Sequence, residues 1–208
     1  MARNRAIGRA QFRQRKFTMV PLTGIWQQHI GTPELTGSWI IWGDSFQGKT
    51  TYALEMAKEL SKHGPVDFNC LEEGESYSNQ LKWEKAGIFD LPTDRKIQLL
   101  HKMQLNELSQ RLNKRRSAKF VFINTIQYLM YLKFAQYQKF IEQYPDKIFI
   151  WIAKGDNKLP LGKVANDVRF DSHVKIRVEG YRAFAQSRYG GTSPYDIWPE
   201  KAAQYWGA

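Results

Sequence analysis

The residues with the clearest chemistry are Gly43-Asp44-Ser45-Phe46-Gln47-Gly48-Lys49-Thr50, followed by Thr51. They fit the spacing G-x-x-x-x-G-K-[ST], which is built to hold a polyphosphate. The two glycines let the backbone curl so that successive N–H groups point at phosphate oxygens. Lys49 then reaches the outer phosphates, and the Thr50 hydroxyl can ligate Mg²⁺. An apolar run, SWIIW (38–42), precedes the loop, and an apolar stripe at Ala53, Met56, Ala57 and Leu60 follows it. Strand, glycine loop and helix are the context that this chemistry requires, and the positive end of the helix adds to the attraction for phosphate.

Hydrolysis needs a second acidic strand end to hold Mg²⁺ and a group to orient water. KFVFINTIQYL is the only good candidate for the first, and it carries Asn124 where an aspartate is expected. An amide keeps an acceptor oxygen but loses the negative charge. Changes around a metal of this kind typically cost about 10- to 100-fold in affinity or activity. Thr50 and Asn124, the latter through water, are therefore the expected Mg²⁺ contacts. Asp67 and Asp156 also lie near strand ends, but Asp67 begins its strand and points to the wrong edge. Glu72 and Glu73, in CLEEGES, directly follow an apolar run and are the candidates for aligning water.

These groups need a scaffold. Apolar runs of four to seven residues recur at 38–42, 66–71, 96–100, 119–124 and 147–153, with little alternation. Such runs suit strands buried on both faces of a parallel sheet. Between them lie helical stripes, one at 53–60 and one at Leu105, Leu108 and Leu112 with a basic Lys114-Arg115-Arg116 end. Alternating strand and helix predict an α/β fold with a mostly parallel central sheet. HVKIRV (173–178), YRAFAQS (181–187) and YDIW (195–198) are close together and predict antiparallel strands at one sheet edge.

The chain has 208 residues, with 31 Lys+Arg against 20 Asp+Glu, a net charge of +11. That excess favours a polyanionic partner such as nucleic acid. Arg3, Arg5, Arg9, Arg13, Arg15 and Lys16 precede Phe17 with no acidic residue among them, and a run of this kind is usually disordered when free. The division expected is a basic arm and lead-in over residues 1–30 and one catalytic domain over 31–208. The single cysteine, Cys70, excludes an intrachain disulfide, and no Cys/His spacing fits zinc. No apolar run approaches the roughly 20 residues that span a bilayer. A soluble protein of a reducing, intracellular setting, with no membrane contact, is the expectation.

With these motifs in hand, the chain resembles the RecA-like P-loop ATPases, on the RadA/KaiC/DnaB side of that superfamily. GDSFQGKTT resembles their phosphate loop, FNCLEEGES their strand ending in the catalytic glutamate, and FVFINTIQYL their Walker B strand. FDSHVKIRVEGYRAFAQSRYGG resembles the strand pair leading to Lys-Asn-Arg-Phe-Gly in RadA. The resemblance runs from about residue 37 to 191. It implies ATP and Mg²⁺ as cofactors, Glu73 or Glu72 positioning water, and Arg188 acting in hydrolysis or DNA contact, often across a subunit interface. Gln186 stands where RadA has lysine. The segment 153–170, with Lys154, Lys158, Lys163 and Arg169, sits where the family places a mobile DNA-binding loop. A ring or filament of copies is implied, and small proteins of this pattern resemble ATP-binding proteins of phages and mobile elements.

The reading reached is an ATP-binding RecA-like ATPase acting on DNA in recombination, repair or replication. The alternative is an assembly or switch protein in which Asn124 leaves ATP bound with little turnover. A small-molecule kinase is a third reading, for which only the region from Arg169 to Arg188 could supply a phosphate lid.

Overall fold

The computed structural model describes residues 6–156 and 158–207. The chain runs α1 (Arg9–Arg13), α2 (Gly24–Ile30), β1 (Gly37–Gly43), α3 (Lys49–Leu60), β2 (Val66–Cys70), α4 (Tyr77–Lys85) and β3 (Ile97–His101). It continues α5 (Leu105–Leu112), β4 (Phe120–Asn124), a 3-10 turn (Ile126–Tyr128), α6 (Phe134–Gln143) and β5 (Ile148–Asp156). It ends with β6 (Leu159–Pro160), α7 (Lys163–Asp171), β7 (Val174–Glu179), β8 (Arg182–Ser187), β9 (Tyr195–Asp196) and α8 (Pro199–Trp206). No helix among the described residues is long and apolar enough to cross a membrane.

The strands form one sheet in the order β3-β2-β4-β5-β1-β7-β8-β9, with β6 paired to β5. From β3 to β7 neighbours are parallel; β8 and β9 are antiparallel. Both expectations for the sheet therefore hold. Alternation along each strand separates two cores. On one face Trp39, Ile41, Phe68, Phe122, Ile150 and Ile176 pack with α2, α3 and Trp83 of α4. On the other, Ile40, Val121, Ile123, Phe149 and Trp151 meet Leu108 and Leu112 of α5, Tyr137 and Phe140 of α6, and Val168 of α7. Burial on both faces explains why the central strands read as unbroken apolar runs.

Two segments differ from the sequence-based division. Val20, Leu22, Trp26 and Ile30 are buried in the first core, so the lead-in from Val20 onward packs with the domain. In the arm, Arg9 and Arg13 lie on the short helix α1, which buries no residue, and Arg15 and Lys16 are exposed after it. Arg3 and Arg5 lie outside the described residues. Asp67 is held in a structural pair: it is buried, and Arg111 donates to both its oxygens at 2.6 and 2.7 Å.

Candidate nucleotide site

Parallel pairing brings the ends of β1, β2, β4, β5 and β7 to one edge of the sheet. There a cavity of about 450 Å³ is lined by Ser45, Phe46, Gly48, Lys49, Thr50 and Thr51 of the glycine loop. Glu72, Lys82, Asn124, Thr125 and Lys154 line a second side, and Tyr181, Ile197 and Trp198 a third. Open α/β sheets bind their ligands in this position, beyond the carboxyl ends of the strands.

Both glycines of the loop have a structural reason. A Cβ on Gly43 would lie 2.0 Å from the Val178 carbonyl oxygen, so β7 can lie against β1 only if position 43 is bare. Gly48 caps α3 in the left-handed region at φ +96, which favours glycine. The loop is pinned from outside its own motif, because the Gly180 N–H donates to Gln47 Oε1 at 2.6 Å. Asp44 and Phe46 stand exposed at its tip. Lys49, the first residue of α3, donates from Nζ to the Asp44 carbonyl at 2.6 Å. Burial lowers its pKa, Asp44 and Glu72 oppose that shift, and the charge of Lys154 adds to it. A phosphate entering the loop would offer Lys49 a stronger acceptor than a carbonyl.

Of the two candidate glutamates, Glu72 lines the cavity. Its Oε2 accepts from Thr125 Oγ1 at 3.2 Å and its Oε1 from Tyr128 Oη at 3.1 Å. Lys154 Nζ lies 3.3 Å from the same Oε1 and donates to Tyr128 Oη at 3.1 Å. Burial raises the pKa of Glu72, but the Tyr128 bond, the Lys154 ammonium and the Thr125 bond outweigh it and hold the carboxyl below its ordinary range. Glu73 points elsewhere, accepting from Lys82 Nζ and from Ser78 Oγ at 3.1 Å.

Asn124 closes β4 within the cavity wall, with its Oδ1 3.1 Å from Thr125 Oγ1, whose one proton serves either this oxygen or Glu72. Thr50 and Asn124 thus share one cavity, as a Mg²⁺ site bridging phosphates would need. Among the described residues no three His, Cys, Asp or Glu side chains cluster as a metal site. A cation there would depend on the nucleotide for most of its ligands.

The remaining candidates scatter. Arg188 follows β8, whose last residue pairs with the first of β7, and β7 starts beside Trp39 of β1. The side chain hangs at the opposite edge of the sheet, about 15–20 Å from the loop at roughly 3.3 Å per strand residue. There its Nη2 is 3.4 Å from the Asp171 carbonyl. The segment 153–170 is largely regular: β5, the β5–β6 hairpin and α7. Lys163 pairs with Asp167 at 3.4 Å, the Lys158 carbonyl accepts from Trp42 Nε1, and the Arg169 guanidinium covers the rings of Trp42 and Phe170. Only Lys154 of this group enters the cavity.

Sequence reading missed Tyr128 as a partner of Glu72, and Tyr181 and Trp198 as cavity residues. Tyr181 and Trp198 meet edge to face at 6.0 Å, with Lys201 Nζ 4.0 Å from the Trp198 ring centre. No local spacing marks them, since they reach the cavity through the β7–β8 turn and the segment after β9.

No family model matches the chain, and no curated protein shows significant sequence similarity. Solved structures do match in three dimensions. A KaiC-like protein from Pyrococcus horikoshii OT3 superposes at a TM-score of 0.54 with 16% identity, covering 78% of this chain and 85% of that one. The ATPase domain of a DnaB-like protein gives 0.57 with 16% identity over 81% and 84% of the two chains. The flagellar accessory protein FlaH from Methanocaldococcus jannaschii gives 0.55 with 14% identity over 85% and 89%. Together with the sheet order and the loop-to-helix phosphate cradle, these likenesses show that the chain has the fold of the RecA-like P-loop ATPases.

Proposed function

We propose that this protein binds ATP in the Gly43–Thr51 loop and acts as a RecA-like ATPase on DNA, as an assembly of copies in the cytoplasm of a bacterium or phage-infected cell. The observation that carries the nucleotide reading is the placement of Lys49, Thr50, Glu72, Asn124 and Lys154 around one cavity beside a glycine loop. Loop N–H groups and the start of α3 bind the phosphates, and Lys49 turns from the Asp44 carbonyl to the outer phosphates. The base would lie against Tyr181 and Trp198. Thr50 and, through water, Asn124 would hold Mg²⁺, which when bound neutralises charge between the outer phosphates.

For hydrolysis, Glu72 is the carboxylate placed to orient water, with Glu73 behind it on Lys82. Its depressed pKa keeps it ionised, which suits orienting a water molecule better than removing its proton. Arg188 would serve the γ-phosphate of a neighbouring copy, because its own cavity is at the far edge of the sheet. A head-to-tail ring or filament satisfies that geometry. DNA contact is assigned to the basic arm, from Arg3 to Lys16, with Lys158, Lys163 and Arg169 as further cations.

The test is steady-state ATP hydrolysis by the purified protein with Mg²⁺, with and without single-stranded DNA. Turnover that rises with DNA supports the reading. ATP binding with no turnover in either condition supports the switch reading, which Asn124 and the threefold engagement of Glu72 favour. In that case Asn124→Asp is expected to raise turnover by about 10-fold or more. The arm makes its own prediction. Each phosphate neutralised contributes about 0.9 log units of affinity per decade of salt on duplex DNA. Deleting residues 1–16 is expected to flatten the salt slope of duplex binding by several such steps, and an unchanged slope would remove the arm from the DNA contact.

A further inference from the structure

Three lysines and one glutamate line the phosphate cavity, and the acidic position at the end of β4 is an amide. Lys82 is already committed to Glu73. Lys154 is different in kind. It stands in register with Gly43, the first glycine of the loop, on the strand that separates β1 from β4. Its charge helps to lower the pKa of Lys49, and both lysines line the same cavity.

We propose that Lys154 supplies the positive charge on the outer phosphates that a Mg²⁺-anchoring carboxylate would otherwise recruit, so that the site binds nucleoside triphosphate with little dependence on Mg²⁺. The inference rests on the nucleotide reading above. With an aspartate at position 124, a dication would meet an additional carboxylate. Here it meets a neutral amide, and two ammonium groups nearby. The other carboxylate of the cavity, Glu72, accepts from Tyr128 and Thr125 and pairs with Lys154, which reduces what it offers a metal. A triphosphate brings roughly four negative charges at neutral pH, well able to draw Lys154 from its single glutamate. When Lys154 turns to the phosphate, Glu72 keeps its two hydroxyl donors and stays in place. The lysine stem needs only a rotation about its side-chain bonds for this exchange, since it is over a third exposed at its present position.

The experiment is isothermal titration of the full chain with ATP, in Mg²⁺ and in excess EDTA, for the native protein and three variants. For the native protein the affinity is expected to change by less than about threefold on chelation. Lys154→Met is expected to weaken binding in EDTA by about 10- to 100-fold, the worth of one or two charge-assisted contacts, with Mg²⁺ restoring part of it. Lys154→Arg should stay near the native value, and Asn124→Asp should make binding Mg²⁺-dependent. Thermal melting of each variant separates loss of the contact from loss of the fold, and Lys154→Arg provides the comparison if Lys154→Met melts early. A native affinity that falls more than about tenfold in EDTA, or a Lys154→Met variant that binds as well as the native protein without metal, would overturn the inference while leaving nucleotide binding intact. Absence of ATP binding in every condition would remove the nucleotide reading and this inference with it.

Discussion

Lys49→Ala is expected to lower ATP affinity by on the order of 100-fold while leaving the melting temperature nearly unchanged. The affinity loss follows from geometry. Lys49 opens α3 inside the glycine loop, is partly buried, and makes one side-chain bond, to the Asp44 carbonyl. Burial has already lowered its pKa, so much of the cost of removing it from water is met before a ligand arrives. A phosphate contact then adds charge-assisted bonds worth about 1.5–3 kcal/mol each. Stability should hardly move, because the lysine supports no packed element. Titration with ATP and a melting curve on the same sample check both halves. Affinity within about threefold of the native protein would show that the cradle is not where ATP binds.

Arg111→Leu should destabilise the fold by about 3 kcal/mol, the largest effect expected for a single surface-reaching side chain. Asp67 lies on β2 with 2% of its surface exposed, and Arg111 of α5 donates to it through Nε and Nη2. The same Nη2 donates to Gln98 of β3 at 2.5 Å, so one guanidinium ties the edge strand and its helix to β2. Removing it strands a buried carboxylate without its cation, and the penalty lies in that uncompensated charge more than in the pair itself. In a domain of this size the loss corresponds to about 6–12 °C in melting temperature. Replacing both residues, Asp67→Leu with Arg111→Leu, should recover much of it. Urea unfolding of the single and double variants reads the difference, and a single variant within about 1 kcal/mol of the native protein would show that water reaches Asp67.

The elements that were legible are those whose signal is local. Strands β1, β4 and β5 announced themselves because each is apolar on both faces, and α3 because a glycine loop, a lysine and an apolar stripe follow one another without interruption; the run at 96–100 is instead the edge strand β3, which buries only Leu100, and β2 carries the buried polar residues Asp67 and Asn69 on one face. Helices α4 and α7 were not legible. Each buries only two side chains, Asn79 and Trp83 in one, Ala165 and Val168 in the other, so neither carries a stripe that periodicity can detect. For α7 the family resemblance pointed to a mobile loop, whereas Lys163 is paired within the helix and Arg169 lies over aromatic rings.

The sequence alone was enough for the glycine loop before α3, the α/β class and the amide at the end of β4, because each depends on residues adjacent in the chain. Which groups share the cavity depended on strand order. Only the placement of β5 between β4 and β1 brings Lys154 beside Gly43 and Glu72, and only the antiparallel return of β8 carries Arg188 away from the site. The return of β9 along β8 then brings Trp198 beside Tyr181 at the cavity. Long-range pairing of this kind is set by the burial of whole faces, and no spacing within one segment encodes it.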